Sequence, residues 1–150
     1  MTLMRIGKTF TFDAAHRLQN HDGKCKNLHG HTYQVEVIVG ARLEDGLFKE
    51  GPQEGMVLDF GVLSAWWKAL EVTLDHRVIL ESNDPLIGAL DGLTPITDFN
   101  WPPTAENLAL WIQDDLTAWL NQIIEVPRFG RQYYAEVRVY ETTKSWAEAS

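Results

Sequence analysis

At 150 residues the chain suits one domain, 1–150, because chains divide when a single core outgrows roughly 250 residues. Its 45% hydrophobic and 23% charged residues exclude disorder and fibrous architectures, and its net charge of −8 argues against nucleic acid as a direct partner. No apolar window reaches the length of a membrane span and no apolar leader follows Met1, so the expectation is no membrane association and a cytoplasmic location.

Between Met4 and Phe12 the even positions Met4, Ile6, Phe10 and Phe12 are apolar, and this period of two predicts a first strand. From His31 the odd positions His31, Tyr33, Val35, Val37 and Val39 predict a second. The Gly- and Glu-rich stretch 40–55 reads as a turn region. Asp59 then caps a helix whose stripe is Phe60, Leu63, Trp67, Leu70 and Leu74. Residues 81–103, rich in proline and without periodicity, predict a long loop, which in a compact domain usually has a functional reason. Thr104 caps a second helix with Leu108, Ile112, Leu116, Trp119 and Ile123 on one stripe, closed by Pro127 and Gly130. A third strand has Ala135, Val137 and Val139 inward, and Glu141 shares their parity. Two helices over one face of an antiparallel sheet give an α+β fold. Four strands at most would leave open edges that pairing between subunits could cover.

The chemistry concentrates near residues 16–31. His29 and His31, two apart on an extended chain, project from one face and can point at one ion. If the first two strands form a hairpin, His16 supplies a third nitrogen, and three histidines with an open fourth position suit a catalytic zinc. His21 competes as the third ligand, although its polar loop favours a solvated role. Cys25, the single cysteine, cannot form an internal disulfide. Lys24, Lys26 and a nearby cation would favour its thiolate, as base or nucleophile, while ligation of the metal is the other reading. Asp75 can orient or charge His76 for proton transfer, or His76 can simply sit at a helix C-terminus. A carboxylate at the inward position of Glu141 needs a partner, which a planar ligand with adjacent N–H groups would provide, unless the strand end turns outward. Glu106 is favoured by the helix dipole at the surface, and with Thr104 it could also line the pocket.

The phrases FTFDAAHRL, CKNLHGH, GMVLDF, LDH, PTAENLALWI and VRVYET, in this order from Phe10 to about Glu141, resemble the 6-pyruvoyltetrahydropterin synthase family, which includes bacterial 6-carboxytetrahydropterin synthases of 7-deazaguanine biosynthesis. The resemblance implies the tunnelling fold: a four-stranded antiparallel sheet with two helices on one face, joined edge to edge into a trimeric β-barrel that usually stacks as a hexamer. It implies zinc on His16, His29 and His31, catalysis by Cys25, Asp75 and His76, Glu141 against the pterin ring, and active sites between subunits. The implied substrate is 7,8-dihydroneopterin triphosphate, with Arg17, Lys24 and Lys26 available to its phosphates. The short spacing from Cys25 to His29 resembles the carboxy-forming branch. Two features depart from the family pattern: the length of 81–103, and the ending TTKSWAEAS where a closing strand is usual.

Overall fold

The computed structural model describes residues 2–43, 47–123 and 132–150. The strands are β1 (Thr2–His16), β2 (His29–Leu43), β3 (Arg77–Glu81), β4 (Ile96–Phe99), β5 (Gln132–Thr142) and β6 (Ser145–Ala149). The helices are α1 (Phe60–Glu71), α2 (Leu86–Leu90) and α3 (Ala105–Ile123), and a short 3-10 turn covers Lys24–Lys26. The strands form one sheet in the order β4-β3-β1-β2-β5-β6. Its central β1–β2 hairpin runs in unbroken antiparallel register from Thr2↔Leu43 to His16↔His29.

The fold is α+β, but the sheet differs from the expected four antiparallel strands. Among the described residues it has six, of which β3 pairs parallel with β1 and β4 parallel with β3. The stretch read as a loop over 81–103 contains α2 and β4, and β3 ends within it at Glu81. These pieces are short, and Val78, Ile79 and Leu80 are all buried, which erases the alternation of a one-sided strand. The C-terminal segment forms β6 in antiparallel pairing with β5, so a closing strand is present. The first strand also runs further than its apolar run: Ala14 and His16 continue the buried parity of Phe12, which places His16 inside β1 and not beyond it.

One face of the sheet carries the core. Phe12, Tyr33, Val35, Val37, Val39, Ala135, Val137 and Val139 pack with Leu63, Trp66, Trp67 and Leu70 of α1 and with Leu108, Ile112, Leu116 and Leu120 of α3. Asp59 caps α1 by accepting from the Gly61 amide at 2.7 Å, and the Thr104 hydroxyl accepts from the Asn107 amide at 3.2 Å. Phe60 and Ile123, at the outer ends of the expected stripes, are exposed, and Trp66 is buried instead, with Nε1 donating to Asp115 Oδ1 at 2.7 Å. Pro127 and Gly130 lie outside the described residues. The opposite face is polar: Arg5 pairs with Glu136 and Arg138 with Glu148. Among the described residues no helix is long and apolar enough to cross a membrane.

Candidate functional site

The hairpin register makes His16 and His29 direct partners and puts His31 on the same face, two residues along β2. The ring centroids are 4.6 Å apart for His16–His29, 5.1 Å for His16–His31 and 5.0 Å for His29–His31. One ligand nitrogen of each lies within 4.8 Å of the other two. His16 Nδ1–H donates to the Pro103 carbonyl at 2.8 Å and His29 Nδ1–H to the Asn27 carbonyl at 2.7 Å. Carbonyls in that position fix the tautomer and leave Nε2 as the lone pair, the usual outer arrangement of metal-ligating histidines.

Among the described residues, His16 Nε2 and His31 Nε2 are buried without a hydrogen-bond partner. Burial is the leading cause that lowers both pKa values, which favours neutral imidazoles. The carboxylate of Glu141 nevertheless faces them, Oε1 at 3.4 Å from His31 Nε2 and Oε2 at 3.9 Å from His16 Nε2. Oxygen and nitrogen lone pairs turned on one another repel, and a cation among them would reverse the sign. The donor set therefore fits a divalent metal of the zinc type.

Neither competing ligand joins the trio. His21 Nδ1 accepts from the Gly23 amide at 2.8 Å on an exposed loop, and Cys25 stands outside the converging set. Cys25 sits on the 3-10 turn, half-buried, and its carbonyl accepts from the Leu18 amide at 2.9 Å. It lies close enough to Tyr33 for its charge to act on the phenol, whose pKa is pushed up first by burial and then by Glu141 and Cys25.

The Cys25 loop is tied down at its start. Arg17 Nε donates to Asp84 Oδ2 at 2.7 Å and Nη2 to Oδ1, and Gln19 Nε2 donates to Glu81 and Asn83 at 2.9 and 2.6 Å. The fork to a buried Asp84 commits the Arg17 guanidinium, so the expected availability of Arg17 to phosphate is replaced by a structural ion pair. Lys24 and Lys26 remain exposed.

Asp75 and His76 form a built pair beyond the end of α1. Asp75 Oδ1 accepts from the Asp13 amide at 2.9 Å, Oδ2 accepts from His76 Nδ1–H at 2.8 Å, and the His76 amide donates to the Asp13 carbonyl at 2.7 Å. His76 holds a φ of 57°, a left-handed conformation uncommon outside glycine. The Asp13 amide is the main reason the Asp75 pKa falls, and Asp75 in turn raises that of His76. The turn that carries the pair runs on from α1, the Asp75 amide donating to the Glu71 carbonyl at 2.7 Å, so His76 also stands at the helix's C-terminal end. The His76 ring is exposed and lines an open concavity of about 520 Å³ with Asp13, Ala15, Gly30, Thr32 and Val78. His31 of the trio and Ala14 border the same concavity, so His76 and one member of the trio line one opening of the chain.

Thr104 spends its hydroxyl on the α3 cap, next to the Pro103 carbonyl that receives His16. Glu106 is exposed on the first turn of α3. Sequence reasoning passed over Asp13, Pro103 and Tyr33. The last had a signal: it is the third inward side chain of β2 after His29 and His31.

Residues 5–150 match the family described as 6-pyruvoyl tetrahydropterin synthase. A Rickettsia typhi protein named 6-carboxy-5,6,7,8-tetrahydropterin synthase is 33% identical over 151 residues, covering 97% of this chain and 99% of its own. A protein of the same name from Aquifex aeolicus is 33% identical over 164 residues, with 95% of each chain covered. The solved structure of 6-pyruvoyl tetrahydropterin synthase from Plasmodium vivax shares the fold with a TM-score of 0.73 at 19% identity, covering 99% of this chain and 98% of that one.

Proposed function

This chain belongs to the 6-pyruvoyl tetrahydropterin synthase family, and from that premise we propose that it is a zinc enzyme that converts 7,8-dihydroneopterin triphosphate and water to 6-carboxy-5,6,7,8-tetrahydropterin, triphosphate and acetaldehyde. The observation that carries the proposal is the trio His16, His29 and His31, with orphaned Nε2 atoms beside a carboxylate. The names of the Rickettsia typhi and Aquifex aeolicus relatives support the carboxy-forming branch, and the role we assign to that product is 7-deazaguanine (queuosine-type) biosynthesis in the cytoplasm.

His16, His29 and His31 would hold the zinc, with their outer nitrogens oriented by the Pro103 and Asn27 carbonyls. When bound, the metal supplies Lewis acidity that makes the hydroxyls of the substrate side chain easier to deprotonate. Cys25 serves as the base that takes a proton from that side chain, and its fixed loop sets where the sulfur stands. His76, charged by Asp75, returns a proton as the acid. Glu141 accepts from the ring N–H and amino groups of the pterin as a two-oxygen fork. The exposed Asp75–His76 pair serves the site of a neighbouring copy, in keeping with a trimer or hexamer.

The test is product analysis with zinc-loaded protein and 7,8-dihydroneopterin triphosphate. Acetaldehyde with the 6-carboxy product is the expected result, and 6-pyruvoyltetrahydropterin would move the chain to the sister reaction. No turnover beside a working control enzyme would leave a pterin-binding module in place of an enzyme.

A further inference from the structure

Tyr33 packs against two of the trio's imidazoles, yet none of the roles above uses it. It follows His29 and His31 as the next inward side chain of β2. Its ring stacks on Phe12 at 4.7 Å and 6°, and it meets His16 and His31 nearly at right angles, with centroids 5.8 and 5.5 Å away. The residue is wholly buried, and among the described residues its hydroxyl has no hydrogen-bond partner.

A buried tyrosine normally finds a partner for its hydroxyl, and an unsatisfied one lowers stability. The packing does not require the oxygen, because phenylalanine would stack on Phe12 and meet the imidazoles equally well. The orphaned nitrogens of His16 and His31 are explained by a metal; an orphaned hydroxyl on a ring packed against those imidazoles points to an acceptor on a ligand of that metal.

We propose that Tyr33 is a substrate-binding residue whose hydroxyl donates a hydrogen bond to an oxygen on the polyhydroxylated side chain of the ligand held between the imidazoles and Glu141. This rests on the pterin reading above. The ligand supplies the acceptor that the folded chain lacks, and it does so at the carbon chain where bonds change, away from the ring that Glu141 recognises.

The experiment compares zinc-loaded wild type with Tyr33→Phe. Zinc content should be equal, and thermal unfolding without ligand should place the variant at or above the wild-type Tm. Titration with 7,8-dihydroneopterin, followed by fluorescence, should give binding about five- to ten-fold weaker in the variant. Equal affinity overturns the proposal, as does a Tm several degrees below wild type, because the hydroxyl would then be satisfied within the protein. Wild type that binds the pterin without turning over its triphosphate sinks only the reaction proposed above and leaves this comparison decisive. Wild type that does not bind the pterin overturns both.

Discussion

Single side chains here divide the work of holding a metal from that of moving protons. His31→Ala should lower zinc affinity more than about 100-fold, beyond the 10–100-fold typical of an outer partner, as read by competition with a chelator. Cys25→Ala should keep its zinc and lose turnover; loss of the metal would return Cys25 to the coordination sphere. The Asp75–His76 pair predicts a pH effect of definite sign. Its raised pKa lets His76 contribute stability below about 6.5, lost as pH rises through the folded value. Asp75, lowered, contributes above about 3.9, and that is lost as pH falls through its folded value. Asp75→Asn should therefore move the His76 titration to lower pH in an NMR titration, and an unchanged midpoint would falsify the pairing. The trio and Glu141 were legible because period-two parity projects along a strand, and Cys25 stood out as the single cysteine between two lysines. Tyr33 and Asp13 were not, since one reads as core and the other acts through its backbone.

At the scale of elements, alternation and capping were enough to find β1, β2, β5, α1 and α3. They failed for β3, α2 and β4, which are short and lack one-sided alternation. What holds that region is tertiary, the Arg17–Asp84 fork above all, and no local pattern announces a partner 67 residues away. Arg17→Met would strand a buried carboxylate and should cost about 3–5 kcal/mol in urea unfolding. Thr104→Ala, by contrast, removes one cap and should cost about 1 kcal/mol. A smaller loss for Arg17→Met than for Thr104→Ala would show that Asp84 relaxes toward solvent and that the fork is not what anchors the Cys25 loop.

For the whole molecule, the helices cover one face of the sheet and leave the other polar, with Arg5, Glu136, Arg138 and Glu148 paired across it. If neighbouring copies complete each site, Cys25→Ala and His76→Ala chains, each inactive alone, should regain activity when unfolded together and refolded as a mixture. No recovery in mixed oligomers verified by mass would place all catalytic groups within one chain. The bond from His16 to the Pro103 carbonyl has a mechanical consequence. That carbonyl stands just before α3, so the imidazole that grips the ion also pins the helix's leading turn against the hairpin. Stripping the metal should quicken amide exchange around residues 104–108 first, making the loaded centre a rivet between two layers as well as a seat for chemistry.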